Sequence, residues 1–401
     1  MVSVGELLER KRGIGPGFDF LRVALAFSIV CAHSYQLNTG LENVQSGHPA
    51  WFLVVIQVPM FFALSGFLVT GSALRLKLRD FILNRAMRIV PALAVDIFVA
   101  ALVLGPIFTV LPLSEYFTSR EFKMYFFNIV GFPNFVLPSV FKDNPFPATV
   151  NGSLWTVPFE IGCYVIMSFF IYFGVLRSRR KLLVCAALTL VLVLALGKIM
   201  YQPWYLAAMH DPTMLSLITM NYLLPSGTKL YLYFVAGILA YIYRDRIPFS
   251  HTLAAGCGAA MVLITVIGAA HFRSRLDEFL FVPLVTYLTV YIGMLEIPPM
   301  PLYKHGDYSY GIYLYGFPLQ QAIIHLNGGR MNLLLHMALS LVLATCIAVV
   351  SWHVVEKPTL RLRKKFSFTA RKGSEDPLSH TLPTATAEPE PIAAAQRPFG
   401  S

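Results

Sequence analysis

Arg22 and His33 lie in the first long apolar run of the sequence, where charge is costly unless it serves a function. Arg22 and His33 are eleven positions apart, close to three full turns of an α-helix, so a helix would present both on one face. The helical rise separates them by ~16 Å along the axis. We therefore expect Arg22 near the cytoplasmic membrane boundary and His33 in the outer half of the bilayer.

A carboxylate is predicted at the depth of His33. The fourth apolar run enters the bilayer near Leu154, which puts Glu160 ~9 Å below the outer boundary, and His33 comes out at the same depth. A carboxylate that orients or charge-stabilises an imidazole can support general-base catalysis on a hydroxyl group. The alternative is that His33 and Glu160 pack together with their polar groups satisfied and have no catalytic role. The spacing leaves both interpretations open.

Arg85 and Arg88 are three positions apart, just before Pro91, at the cytoplasmic start of the third apolar run. On a helix they face the same side, and two guanidinium groups so placed can bind a phosphate bidentately. The alternative is that both are the snorkelling arginines typical of the cytoplasmic membrane boundary. Asp96, further along the same helix, is either a partner of Arg22 or a structural acid.

The composition indicates which elements hold these residues. Of 401 residues, 56% are hydrophobic and 13% are charged, and the mean hydropathy is +0.62. Soluble globular proteins have about a quarter charged residues, and disordered or nucleic-acid-binding chains are far less apolar. The 32 basic residues are gathered in loops and a tail, so the net charge of +11 does not indicate a nucleic-acid partner. We predict an all-α integral membrane protein.

Ten apolar runs are long enough to cross a bilayer, given the ~20 residues that a span needs. Basic residues precede the first run (10–12) and follow the last (357–365), which predicts an even number of crossings with both termini cytoplasmic. We expect one transmembrane domain over 18–358, between a cytoplasmic segment 1–17 and a basic, then disordered, cytoplasmic tail 359–401. The runs lie near 18–37, 51–72, 86–105, 154–176, 182–200, 229–243, 252–270, 277–295, 309–327 and 332–354.

Several segments between these runs need separate interpretations. The segment 213–224 is either a half-helix or an extra span, and Arg273 and Arg275 would face outward, against the charge rule. The longest connection, 106–153, is rich in proline and aromatic residues, so we expect it on the membrane surface or folded back onto the bundle. An interfacial aromatic belt is predicted from four tyrosines, Tyr308, Tyr310, Tyr313 and Tyr315.

Six blocks of sequence resemble, in order, the motifs of the acyltransferase-3 family of membrane acyltransferases. The first block, FDFLRVALAFSIVCAH, contains Arg22 and His33, and the third, NRAMRIVPAL, contains Arg85 and Arg88. The fourth block, NGSLWTVPFEIGCY, contains Glu160. The remaining blocks are PMFFALSGFLVTG at 59–71, YSYGIYLYGFP at 308–318 and VVEKP at 354–358. Together the six blocks span most of the predicted transmembrane domain.

The resemblance implies transfer of an acyl group, commonly acetyl, from cytoplasmic acyl-coenzyme A to a hydroxyl group of a cell-surface carbohydrate or glycolipid. On this interpretation the phosphates of the donor bind Arg85 and Arg88, together with Arg22. His33 acts as general base or accepts the acyl group itself, and Glu160 supports the imidazole. Contacts to the oxyanion or the acceptor would come from Ser65, Ser153, Trp155 and Tyr310. The five cysteines lie in apolar runs without metal-ligand spacing, so no metal ion is expected.

The sequence departs from the family pattern at one position. Many members carry a histidine where this chain has Gly316, so the role of that histidine is absent or moved. Some members also carry an extracytoplasmic esterase-like domain that passes the acyl group onward. We expect this chain to transfer the group directly or to work with a separate extracytoplasmic partner, and a homo-oligomer stays open.

The leading alternative function is a transporter or flippase of a lipid-linked saccharide, in which His33, Glu160 and Asp96 relay protons. The paired arginines and the lack of a visible internal repeat favour the acyltransferase. A lipid, peptide or antibiotic acceptor is a second alternative. The expected location is the bacterial cytoplasmic membrane, where the chain is surrounded by membrane lipids.

Overall fold

A computed structural model describes residues 2–11, 13, 15–40, 51–199, 225–271, 276–298, 300, 303 and 306–366. In this part of the chain the regular structure is helical, and its extended pairing consists of two isolated antiparallel bridges. The predicted all-α class is therefore confirmed for these residues. The helices, numbered in chain order, are α1 (Val4–Arg10), α2 (Phe18–Thr39), α3 (Trp51–Val55), α4 (Gln57–Ala73), α5 (Leu78–Val99), α6 (Gly105–Phe108), α7 (Leu113–Thr118), α8 (Arg120–Tyr125), α9 (Val157–Tyr172), α10 (Arg179–Ile199), α11 (Pro225–Ile242), α12 (His251–His271), α13 (Leu276–Met294), α14 (Ser309–Leu326), α15 (Leu333–Ser351) and α16 (Lys357–Phe366).

Each of the ten predicted spans overlaps one or more helices in the described ranges. Among the residues that the structure describes, the segments that are long and apolar enough to cross a membrane are Phe18–Thr39, Leu53–Ala73, Leu78–Phe108, Gly152–Tyr172 and Leu333–Leu362. Shorter apolar helices cover Gly227–Ile242, His251–Ile267 and Phe279–Met294. These helices support a multi-pass membrane protein, whereas ten crossings and two cytoplasmic termini stay predictions.

Some of the predictions fall outside the residues that the structure describes. These are the segment 213–224, the outward-facing Arg273 and Arg275, and the tail from residue 367 to 401. The basic first part of the predicted tail is described, and it forms α16. This helix continues from α15 through a π-helical turn, Trp352–Glu356.

The third predicted span begins earlier than expected. α5 starts at Leu78 rather than near residue 86, so Arg85 and Arg88 lie about two and three turns inside a helix. Buried arginine is tolerated where carboxylates or aromatic rings stabilise its charge. The predicted start of the third helix is therefore wrong, whereas the position of both arginines at the cytoplasmic membrane boundary stays a prediction.

The long connection between α6 and α9 folds back onto α14. Asn144 donates from Nδ2 to the backbone oxygen and to Oε1 of Gln321, at 3.0 and 2.7 Å. The amide of Gln321 in turn donates to the carbonyl oxygens of Phe146 and Thr149, at 2.8 and 2.7 Å. These hydrogen bonds hold the connection against the bundle, so folding back is the correct one of the two predicted arrangements.

The four tyrosines at the start of α14 do not form an interfacial belt. Tyr308 and Tyr315 are buried, and the hydroxyl of Tyr315 lies 2.7 Å from the hydroxyl of Ser351. Tyr310 and Tyr313 are half-buried, and their hydroxyls donate to backbone carbonyl oxygens. The belt prediction is wrong because α14 packs against α2, α5 and α15, so its tyrosines contact protein.

Two central helices, α4 and α11, approach each other through glycines. A β-carbon on Gly66 of α4 would lie 2.0 Å from the carbonyl oxygen of Phe234 in α11. One on Gly237 of α11 would lie 2.1 Å from the carbonyl oxygen of Ala63 in α4. Small residues allow helix backbones to pack closely in membrane proteins. A side chain at either glycine would therefore push the two helices apart.

Gly66→Ala should lower the midpoint of thermal unfolding in detergent, because overpacking a close contact costs ~1–3 kcal/mol. Gly256→Ala is the matched control, since a β-carbon there meets nothing within 4 Å. Equal midpoints for the two variants would contradict the close packing of α4 against α11.

Candidate functional site

Four charged side chains meet where α2 and α14 begin and α15 ends. We call Arg22, Arg88, Asp307 and Glu356 the charge cluster. Oδ2 of Asp307 accepts hydrogen bonds from Nη2 of Arg88 at 2.6 Å and from Nη1 of Arg22 at 3.3 Å. Nη1 of Arg88 donates to Oε2 of Glu356 at 3.3 Å. The charge cluster therefore joins four segments that are remote in the chain.

The orientation of Asp307 is set by the first residue of α14. Oδ1 of Asp307 accepts from the backbone N–H and the hydroxyl of Ser309, at 3.3 and 2.5 Å. Burial alone would raise the pKa of Asp307, but Arg88, Arg22 and Ser309 outweigh it and lower the pKa to about 2. Asp307 is therefore ionised at neutral pH and acts as a fixed negative charge.

Arg88 also contacts two aromatic rings. Its guanidinium carbon lies 5.9 Å from the ring centroid of Tyr310 and 5.7 Å from that of Trp352. Such cation–π contacts stabilise a partly desolvated cation. Together with the two carboxylates of the charge cluster, these rings explain why an arginine is tolerated three turns inside α5.

Arg85 has different surroundings from Arg88. Its guanidinium carbon lies 5.9 Å from the ring centroid of Tyr164, and its Nε is buried without a hydrogen-bond partner among the described residues. In the same residues no carboxylate forms an ion pair with Arg85. Of the two arginines that the sequence assigns to phosphate binding, Arg85 is thus the one whose charge is not matched by a carboxylate in direct contact.

Glu160 lies in the first turn of α9 and is half-buried. Its Oε1 accepts a hydrogen bond from the hydroxyl of Tyr164, one turn further along, at 2.8 Å. Ser65 of α4 lies close to the same tyrosine hydroxyl, and Arg85 and Arg88 are within electrostatic range of the carboxylate. These groups form one polar region between α4, α5 and α9.

His33 lies on α2 beside Phe317 of α14, with ring centroids 5.1 Å apart and ring planes at 76°. The imidazole is partly exposed and makes no hydrogen bond to the residues that the structure describes. Phe317 also covers Gly152, where a β-carbon would lie 2.7 Å from the ring. The hydroxyl of Tyr164 is the hydrogen-bond partner that the structure gives Glu160, so support of His33 by this carboxylate stays a prediction.

The remaining predicted site residues differ in how much hydrogen-bonding capacity they have left. Ser153 is buried, its Oγ has no partner among the described residues, and its carbonyl oxygen accepts from Tyr313 at 2.8 Å. The hydroxyl of Tyr310 donates to the carbonyl oxygen of Ile89 at 3.3 Å. Trp155 packs against the apolar core. Of these three predicted residues, Ser153 has the hydroxyl best able to donate to a ligand.

Asp96 is a structural acid. It is buried and accepts a hydrogen bond from Nδ2 of Asn151 at 2.9 Å, and the same nitrogen donates to the carbonyl oxygen of Leu314 at 3.0 Å. Arg22 instead bonds to Asp307 and to Asp19. The alternative in which Asp96 pairs with Arg22 is therefore wrong.

Gly316 lies where α14 packs closely against α2. A β-carbon at Gly316 would lie 3.0 Å from Cγ2 of Val30, because α14 and α2 approach closely at this point. One turn later, the buried amide of Gln320 donates to the backbone oxygen of Val30 and the hydroxyl of Ser34, at 2.7 and 2.6 Å. A larger side chain at Gly316 would therefore require Val30 to shift.

Sequence reasoning missed Asp307, Glu356 and Tyr164. The two carboxylates lie 219 and 268 positions from Arg88, so spacing along one helix cannot reveal the pairing. The available signal was their location directly before or inside the two closing sequence blocks, 308–318 and 354–358. Tyr164 was visible as the residue one helical turn after Glu160.

Arg22 belongs to the charge cluster at one end of α2, and the imidazole of His33 lies further along the same helix. This arrangement is suited to a membrane-embedded group-transfer enzyme. The acyltransferase-3 family model, described as an acyltransferase domain, matches residues 16–353. The chain therefore belongs to the acyltransferase-3 family, and it is a multi-pass membrane acyltransferase.

Three curated relatives are similar to most of the chain. An O-acetyl transferase of Shigella phage Sf6 is 27% identical over 85% of this chain and 94% of its own length. A putative peptidoglycan O-acetyltransferase of Bacillus subtilis is 26% identical over 89% of this chain, which spans only 56% of that longer protein. Nodulation protein 10 of Rhizobium leguminosarum is 27% identical over 92% of this chain and 99% of its own length. No solved structure matches the chain.

Arg88→Gln should destabilise the protein more than Arg85→Gln, because it leaves Asp307 and Glu356 without their shared cation. Removing one partner of a buried ion pair costs ~3–5 kcal/mol, and the 22% exposure of the Arg88 side chain reduces that cost. Thermal unfolding of both variants in detergent provides the comparison. An Arg85→Gln midpoint at or below that of Arg88→Gln would show that the carboxylates of the charge cluster do not depend on Arg88.

Proposed function

We propose that this protein is an O-acetyltransferase that moves an acetyl group from acetyl-coenzyme A to a hydroxyl group of a cell-surface carbohydrate or glycolipid. We place it in the bacterial cytoplasmic membrane, with ten crossings and both termini in the cytoplasm. The observation that carries the proposal is that α2 connects the charge cluster, through Arg22, with the partly exposed imidazole of His33.

The donor matches this arrangement because coenzyme A carries its phosphates at one end and its thioester at the other. The phosphates would bind Arg85, whose charge has no carboxylate in direct contact within the described residues, together with Arg22 and Arg88. Arginine is suited to this role because its guanidinium binds phosphate bidentately. The ~16 Å between Arg22 and His33 along α2 is the distance that the acyl-bearing arm would cover.

The proposed reaction begins when His33 accepts the proton of the acceptor hydroxyl group. The hydroxyl oxygen forms a bond with the carbonyl carbon of the thioester, and collapse of the tetrahedral intermediate breaks the carbon–sulfur bond. Coenzyme A then leaves as a thiol, with the proton that His33 had accepted. Glu160 would support the imidazolium. The hydroxyl of Ser153, which has no partner among the described residues, is a candidate donor to the oxyanion.

A two-step route, in which His33 first carries the acetyl group, differs in one observable respect. It would leave radiolabel on the wild-type protein in the absence of acceptor, and His33→Ala would abolish that label. Direct transfer predicts no labelled protein.

The acceptor class is supported by the names of the relatives. Two of them are named as O-acetyltransferases, and one of these is named for peptidoglycan, a glycan. By contrast, no hydrogen bond among the described residues links His33, Glu160 and Asp96 to one another, since Asp96 is bonded to Asn151 and Glu160 to Tyr164. Acyl transfer is therefore a better explanation than transport of a lipid-linked saccharide.

His33→Ala should lower kcat for acetyl transfer by ~10²–10⁴-fold, the usual contribution of a general base. The assay uses the full chain in liposomes, radiolabelled acetyl-coenzyme A and an extract of surface glycans. His251→Ala is the matched control. His251 is the first residue of α12, is exposed and forms a hydrogen bond with Tyr291 of α13. Full activity of His33→Ala would exclude His33 as the base.

Arg85→Gln should raise the KM for acetyl-coenzyme A by ~10-fold or more, because a charge-assisted contact to the donor is lost. We expect a small change in kcat, since this contact holds the donor equally in the ground state and the transition state. Arg180→Gln, at an exposed position in α10, should leave the KM unchanged. Equal KM values for all three proteins would remove Arg85 from the donor site.

A further inference from the structure

Asp307 bridges two helices through two arginines. Its Oδ2 accepts from Nη2 of Arg88 in α5 and from Nη1 of Arg22 in α2, at 2.6 and 3.3 Å. Its Oδ1 is held by the backbone N–H and the hydroxyl of Ser309. Both carboxylate oxygens therefore have partners, and these partners define one orientation of the side chain.

Among the described residues, the other carboxylates that pair with these arginines each bind one of them. Asp19 accepts from Arg22 at 3.1 Å within α2, and its side chain is 58% exposed, whereas Glu356 accepts from Arg88. The side chains of Arg22 and Arg88 are only 27% and 22% exposed, so solvent weakly screens the repulsion between them. Asp307 is thus the group that keeps the two guanidinium groups in proximity.

The bridge leaves several donors of both arginines available to a ligand. A guanidinium group has five N–H donors. Within the described residues, the hydrogen bonds use Nη1 of Arg22 and one contact each from Nη1 and Nη2 of Arg88. A phosphate group can therefore bind the remaining N–H groups while Asp307 stays in place.

We propose that Asp307 is a positioning residue for the donor: by bridging Arg22 and Arg88, it holds both guanidinium groups in one arrangement that recognises the phosphate groups of acyl-coenzyme A. This inference rests on the proposed function. Asp307 acts through the arginines and does not contact the reacting atoms.

The positioning role has a consequence opposite to that of simple competition. If Asp307 only competed with phosphate for the arginines, removal of its charge would free them and lower the KM for the donor. If Asp307 positions them, removal of its charge lets the guanidinium groups separate, and the KM rises. The sign of the change therefore distinguishes the two roles.

The test measures KM and kcat for acetyl-coenzyme A with the full chain in liposomes. Asp307→Asn should raise the KM by ~10-fold or more, with kcat within ~2-fold of the wild type. Asp307→Glu should restore most of the affinity because it keeps the charge. Asp245→Asn is the matched control, since its side chain is 64% exposed in the Arg244–Arg246 turn. An unchanged or lower KM in Asp307→Asn overturns the proposal, as does a loss confined to kcat.

A double-mutant cycle tests whether Asp307 acts through Arg22. In an Arg22→Gln background, Asp307→Asn should raise the KM by a smaller factor than in the wild type, since one of its two partners is already absent. Equal factors in both backgrounds would contradict the bridge between the two arginines.

A milder variant covers the case in which Asp307→Asn does not fold. Ser309→Ala removes the 2.5 Å hydrogen bond to Oδ1 and leaves every charge in place, so it should raise the KM by a smaller factor. An unchanged KM would then overturn the proposal. A wild-type protein that consumes no acetyl-coenzyme A contradicts the proposed function, and this inference falls with it. An active wild type with unaffected variants contradicts the inference alone.

Discussion

The ion pairs around Asp307 are the constraint on which one end of the bundle depends. Charges in apolar surroundings must be paired, since an isolated charge there is costly. Arg22 and Arg88 come from different helices, and Asp307 and Glu356 come from segments at the ends of two further helices. These helices must therefore converge at this end, and the convergence creates the cationic site.

The opposite part of the molecule is held together by neutral amides. Asn144 and Gln321 bind each other and the backbone of the long connection, and Gln320 links α14 to α2. α14 therefore has charged contacts before its first turn and amide contacts near its end. One helix therefore contacts the charge cluster, the imidazole of His33 through Phe317, and the long connection between α6 and α9.

The two arginines of α5 have different surroundings although they are three residues apart. Carboxylates and aromatic rings surround Arg88, so its charge is largely compensated before any ligand binds. Arg85 contacts the ring of Tyr164, the tyrosine that also bonds to Glu160. We therefore regard Arg85 as the more available of the two cations, whereas Arg88 holds the carboxylates of the charge cluster and has its remaining N–H groups left for a ligand. This difference arises from contacts across the bundle.

The sequence by itself determined the all-α class, the positions of ten helices and the shared helix face of Arg22 and His33. These features follow from apolar run length and from the 3.6-residue helical period, which are local properties. Depth and spacing along the apolar runs also predicted Glu160, Arg85 and Arg88 as candidate site residues, and the family blocks contain all three. The earlier start of α5 was not predicted, because charged residues end an apolar run in the sequence even when the helix continues through them.

Only the tertiary structure decided which charges pair. Asp307 and Glu356 lie 219 and 268 positions from Arg88, so no local sequence pattern predicts that they pair with it. The same holds for Asp96, which bonds to Asn151 rather than to Arg22, and for the tyrosines of α14, which are enclosed by neighbouring helices. Helical period and hydropathy determine which face of a helix is apolar, whereas ion pairs and hydrogen bonds between helices depend on how the faces meet in three dimensions.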